Sequence, residues 1–222
     1  MVKDKFKEIV KNAIHPHLKN AGFKKSGNHF RKKLAETQQV VTLQLSQGNS
    51  YNHLRFYFRC GILIDALKPE TRDLKSEPYA DFQFGLNIVS DEHDANSQFD
   101  ITNETDVETI IRPLENVIQT GLIPFFKNQE SENECIDYWA SQDSLQGSFD
   151  LIKYLCKKGD SSKLEAYIIR LTRFIASIRK EYTDPDTARR RLDRTIALLS
   201  EQGGLTPELN EKIEQIWAHG TE

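Results

Sequence analysis

Apolar residues recur at two different periods along this 222-residue chain, and the change of period divides it. Over 53–65 they alternate strictly, with Leu54, Phe56, Phe58, Cys60, Ile62 and Ile64 at even positions and His53, Arg55, Tyr57 and Arg59 between them. That alternation predicts a strand with one buried face and one polar face. Shorter runs at 30–34 and 40–45 predict two strands before it, with a turn at Gly48-Asn49. The stretch 81–90 repeats the pattern, setting Phe82, Phe84, Leu86 and Ile88 against Gln83, Gly85 and Asn87. Polar stretches at 68–78 and 91–98 read as loops, the second of them acidic.

Elsewhere the period is helical. Phe6, Ile9, Val10, Ala13, Ile14 and Leu18 share a face over 3–21, where Pro16 predicts a kink and Gly22 a C-cap. Thr105-x-x-Glu108 is a capping box ahead of Ile110, Ile111, Leu114 and Ile118, with Pro113 as a kink and Gly121 as the stop. The apolar 122–126 connector should bury, and Ser131-x-x-Glu134 opens a short helix bearing Ile136 and Trp139. From Phe149 onwards every signal is helical. Gly159 closes one helix, Ser162-x-x-Glu165 caps the next, and Leu164, Ile168, Leu171, Ile175, Ile178 and Tyr182 form its seam. Asp184-Pro185 and Thr206-Pro207 mark further starts, and Gly203-Gly204 separates the last two helices.

The fold class is therefore α+β. An antiparallel sheet of four or five strands packs with helices in a domain over 1–140, followed by an all-α domain over 148–222, a helical bundle or set of hairpins. No apolar run is long enough for a membrane helix, and the charged start MVKDKFKEIVK is unlike a secretory signal. Cys60, Cys135 and Cys156 lie far apart, as reduced thiols of a cytoplasmic protein would, and form neither a disulfide framework nor a zinc set.

Charge is strongly segmented beneath a net −3. Residues 1–65 carry twelve Lys/Arg against four Asp/Glu, 66–150 carry five against eighteen, and 151–222 carry thirteen against eleven. One-signed surfaces steer oppositely charged partners, and pairing of the basic segment with the acidic one is the equal alternative.

The order of a helix, Gly22-Phe23-Lys24-Lys25, Gly27-x-x-Phe30-Arg31, a strand containing Gln44 and a strand containing Phe56 and Gly61 resembles a widespread bacterial domain-of-unknown-function family, number 4304. Leu18 and the later Pro124-Phe125-Phe126 match it too, so the resemblance covers roughly the first 130 residues. It implies an α+β fold. Some members look like parts of bacterial toxin–immunity or defence neighbourhoods, but the family brings no established activity and no catalytic residues.

Two surfaces stand out as binding candidates. One is the polar strand face of Arg55, Tyr57 and Arg59 with Gln83 and Asn87, joined by the acidic Asp91, Glu92 and Asp94 that would match a basic protein partner. The other adds Lys24, Lys25, Arg31 and Lys33 to Arg55 and Arg59 as a basic, aromatic face for nucleic acid. Arg189, Arg190, Arg191 and Arg194 read as a solvated helix face with acids in reach to pair. His15 and His17 diverge around Pro16 and share no metal, and the acidic loop lacks the spacing of a calcium site. No nucleophile elbow, phosphate loop, dinucleotide fingerprint or CxxC occurs, so neither metal nor cofactor is expected. The sequence thus points to a non-enzymatic bacterial protein that recognises another protein, with nucleic-acid binding as the alternative.

Overall fold

A computed structural model describes residues 1–67, 98–145, 147–179 and 186–219, together with the backbone of 82–84. The chain divides into two compact units, Met1–Cys135 and Ile136–Glu222.

The first unit is built on an antiparallel sheet of β1 (Lys24–Ser26), β2 (His29–Lys33), β3 (Thr37–Leu45), β4 (His53–Ile64), β5 (Phe82–Phe84) and β6 (Gln98–Thr102). The order is β1-β2-β3-β4, and β5 and β6 share the far side of β4. Residues 60–62 of β4 pair with β5 and residues 53–57 with β6, so the sheet is five strands wide. The long alternating segment pairs over residues 56–64 with β3 on one side and has the length to take two short strands, β5 and β6, end to end on the other. Its even positions are all buried, and Phe56 lies edge-on to Phe6 and stacked on Phe99, each at 5.1 Å. Such aromatic contacts add to the burial that drives the helices onto this face.

Two helical layers cover that face. α1 (Val2–Ile9) passes through a π turn at Val10–Ile14 into α2 (His15–Asn20). α3 (Glu108–Val117) passes through a π turn at Ile118–Leu122 into α4 (Ile123–Lys127). Each π turn comes just before a proline, Pro16 or Pro124. The residue before the proline donates its amide five back, His15 to the Val10 carbonyl and Ile123 to that of Ile118. A proline lacks an amide hydrogen and crowds the carbonyl four back, and widening the preceding turn removes that crowding without ending the helix. Gly121 therefore lies inside a continuous helical path, and the expected connector is helix α4, with Leu122 and Phe126 buried.

Other local expectations separate cleanly. The box at Ser131 forms, opening α5 (Glu132–Ala140): Ser131 N and Oγ donate to Glu134 Oε2, and Glu134 N donates to Ser131 Oγ. The box at Thr105 does not. Its hydroxyl accepts from Thr102 N, Asp106 accepts from Glu108 N, and α3 starts later than expected.

In the second unit, α6 (Ser148–Lys158), α7 (Ser161–Ile178), α8 (Asp186–Glu201) and α9 (Pro207–His219) pack around a core that includes Ile152, Ile168, Leu171, Ile175, Leu192 and Ile213. Asp160, rather than Ser162, caps α7, accepting from Lys163 N, and Thr206 caps α9 by accepting from Leu209 N. Gly159 closes α6 in the left-handed region at φ 71°. The arginine run is internal stapling. Arg189 holds Asp193 and Glu214, while Arg191 donates to the Leu145 carbonyl and lies over the Phe149 ring. The expected start at Asp184-Pro185 lies outside the described residues.

Candidate functional site

The strand register decides which of the residues read as binding candidates share a face. On the face of the sheet turned away from the helices, Lys24 of β1 stands opposite Arg31 of β2, and Arg31 opposite Val40 of β3. Val40 stands opposite Gly61 of β4, and Gly61 opposite Gln83 of β5. A second row runs Ser26, His29, Thr42, Arg59, and a third runs Gln44, Tyr57, Gln98. Lys33 sits beside Gln38. Arg55, Tyr57, Arg59, Lys24, Arg31 and Lys33 therefore occupy one face, and the register position of Gln83 is on it too. Lys25 does not join them; it pairs with Phe30 and lies over that ring, 5.9 Å from its centroid. Asn87, Asp91, Glu92 and Asp94 lie outside the described residues.

Much of the charge on this face is already engaged. Asp100 accepts from His53 Nε2 at 2.6 Å, Arg55 Nε at 2.9 Å and Gln98 Nε2 at 2.8 Å. Burial alone would push the Asp100 carboxyl up, but these three donors outweigh it and hold the group below the ordinary carboxylate value. Lys33 is paired with Asp65 at 2.8 Å. Arg59 lays its guanidinium over the Tyr57 ring, 5.4 Å from the centroid. Tyr57 is thus half-buried, with its ring covered by the Arg59 guanidinium. Burial, with Arg31 adding to it, lowers the pKa of His29, which is within 3.0 Å of the Thr42 hydroxyl through Nδ1. Val40 and Leu63 are the buried apolar members of this face.

A second feature lies on the helical side. A cleft of about 250 Å³ opens where α2 and α4 end, lined by His17, Asn20, Phe23, Lys32, Gln39, Phe126 and their neighbours. Its walls follow the two proline-associated π turns, and its floor carries the Phe23–Phe126 ring pair at 5.3 Å. Here the core face of the sheet turns polar: Lys32, Thr37 and Gln39 occupy positions whose alternation points inward. Gln39, fully buried, donates Nε2 to the Phe126 carbonyl at 2.6 Å and to that of Gln129 at 3.3 Å. The Phe126 carbonyl also accepts from Gln129 N at 3.2 Å and the Gln129 carbonyl from Cys135 Sγ at 3.4 Å, so Gln39 adds a further donor to each at and just beyond the end of α4. Lys32 pairs with Glu130 at 2.7 Å, and Thr37 Oγ1 donates to the Glu130 carbonyl. Oε1 of Gln39 and Oε1 of Gln129 are buried without a hydrogen-bond partner. Sequence reasoning missed Gln39 because it began this strand at Val40. The signal was present in the polar pair Thr37 and Gln39 at the inward parity of TQQVVTLQL.

Among the described residues no three His, Cys, Asp or Glu side chains are placed to hold a metal. His17 approaches Glu115 and Gln119, and His15 lies near Phe30. No disulfide joins the three cysteines, and burial pushes the Cys135 thiol up to about 12, with Glu134 and Glu132 adding to it, and raises that of Cys156. Neither is a thiolate nucleophile at neutral pH. No helix among the described residues is long and apolar enough to cross a membrane.

No curated protein and no solved structure matches the chain. The profile of one family matches residues 14–128, more than half of the chain and the part that carries both the polar sheet face and the cleft. By that match the chain belongs to the family described as Domain of unknown function (DUF4304).

Proposed function

We propose that this chain is a non-enzymatic binding protein of the bacterial cytoplasm that recognises another protein through the polar face of its sheet. The family resemblance makes a toxin-neutralising or defence-associated setting the natural one. The observation that carries the reading is the Arg55–Tyr57–Arg59 ladder. Tyrosine and arginine are the side chains that most often dominate protein interfaces. A contact made before binding, such as that of Arg59 with Tyr57, reduces the entropy lost on association. Arg55 and Lys33 are already occupied by Asp100 and Asp65, which suits a mixed-charge protein surface better than a run of phosphates.

The second reading, a nucleic-acid-binding module, is favoured by the convergence of Lys24 and Arg31 with Arg59 and Tyr57 on one face. A capture from native lysate separates the two when it is run with and without nuclease, using wild type and Tyr57→Ala/Arg59→Ala. A stoichiometric protein retained through digestion and lost in the double variant supports protein recognition. Co-purifying material that disappears on digestion supports the second reading. Capture indifferent to the double variant removes the sheet face from both.

A further inference from the structure

The cleft between the ends of α2 and α4 lies on the opposite side of the sheet from the ladder, so its use is independent of the reading above. Its lining combines an apolar floor of Phe23, Ile123 and Phe126 with Lys32, Lys127, His17 and Asn20, and it contains no carboxylate. Glu130 satisfies Lys32 and Glu115 approaches His17, both from beyond the lining. Lys127 is exposed at the mouth and has no partner among the described residues. Apolar walls with a few converging polar groups are the usual composition of a small-molecule site, and this volume is at or below the small end of that range.

We propose that the cleft binds a small aromatic carboxylate. The flat ring would lie against Phe23 and Phe126, where offset or edge contacts with both rings are available. The carboxylate would meet the Lys127 ammonium and the Asn20 amide, an anion placed where the lining offers donors and no competing acid. Lys32 borders the ring site with its stem, which runs beside Gly22, where an added Cβ would stand 3.7 Å from Lys32 Cε.

The test uses the full-length, isotope-labelled protein titrated with indole-3-acetate, and with indole-3-acetamide as its uncharged counterpart, followed by amide resonances. Saturable shifts are expected at Ala21, Phe23 and the side-chain amides of Asn20 and Gln39, with the uncharged compound binding about tenfold more weakly. Lys127→Glu should weaken the acid by about tenfold and hardly change the amide. Ala21→Phe, which fills the cleft, should abolish binding of both. The proposal fails if millimolar acid produces no saturable shift at these residues. It also fails if acid and amide bind equally, or if folded Ala21→Phe binds undiminished. Should Ala21→Phe not fold, Lys127→Glu, at an exposed position, decides alone. None of these outcomes bears on the sheet face.

Discussion

Gln39 reaches across the core of the first unit to donate its side-chain amide to the carbonyl of Phe126 at 2.6 Å, tying the middle strand of the sheet to the end of α4. Only one orientation of that amide is workable, because two carbonyls, those of Phe126 and Gln129, face its nitrogen. Replacing Gln39 with leucine keeps the volume but removes one donor from each of these carbonyls, leaving Phe126 with Gln129 N and Gln129 with the weak Cys135 thiol, which costs about 0.5–1.5 kcal/mol. Urea unfolding should show a lowered midpoint with an unchanged slope. A midpoint equal to wild type would mean that Gln129 N and Cys135 Sγ already satisfy those carbonyls.

Asp100 makes the polar face sensitive to acid. Its folded pKa lies below the unfolded carboxylate value of about 3.9, so its contribution to stability is complete above that value. The contribution declines as pH falls through the folded pKa, when the carboxyl is protonated and the bonds to Arg55, His53 and Gln98 weaken. The side chain is 40% exposed, so the effect is small and screened by solvent. Thermal melts from neutral pH to about pH 3 should therefore fall less steeply for Asp100→Asn than for wild type. Parallel profiles would show that the cluster gives no linkage.

The central strand and the helical second half were legible because their periods are long and the contrast between faces is strong. β6 was not: Gln98–Thr102 offers only Phe99 and Ile101 as apolar markers, directly after an acidic run. β1 is three polar residues and exists only through its pairing with β2. The sequence groups Lys24, Arg31 and Lys33 with Arg55 and Arg59, but their rows, and the departure of Lys25 to the other face, depend on register across four strands, which no local pattern encodes. Pro16 was legible as a disturbance and is resolved as a π turn. Pro113, read as a kink, instead lies inside an uninterrupted α3, and the second π turn belongs to Pro124, which the pattern does not single out. Thr105 and Ser131 head equally good capping boxes, and they differ because the Thr105 hydroxyl is already taken by the turn after β6.

In the second unit Arg189 grips Glu214 with both terminal nitrogens at 3.0 Å and lies 5.8 Å from the Trp217 ring centroid, joining α8 to α9. Both partners are more than a third exposed, at 38% and 43%, so solvent screening limits the pair despite its two-pronged geometry. A double-mutant cycle of Arg189→Ala and Glu214→Ala should give a coupling of about 0.5–1 kcal/mol, smaller in high salt. A coupling indistinguishable from zero at low salt would assign the role of Arg189 to its packing on Trp217 alone.

Gly204 precedes α9 for steric reasons, whereas its neighbour Gly203, at φ 70°, is required by conformation. A Cβ at Gly204 would stand 2.7 Å from Cys156 Sγ and 2.9 Å from Leu164 Cδ2, closer than real contacts allow. Gly204→Ala should therefore cost about 1–3 kcal/mol through overpacking between α6, α7 and the turn before α9. Removing the obstructing sulfur tests the cause. Cys156→Ala alone leaves a small void, but in the Gly204→Ala background it makes room for the new methyl. The double variant should then be more stable than the sum of the single effects by about 1 kcal/mol, read from chemical denaturation. Strict additivity would mean that the methyl is accommodated by movement of Leu164 or of the turn itself, and that the thiol does not set the approach of the two segments.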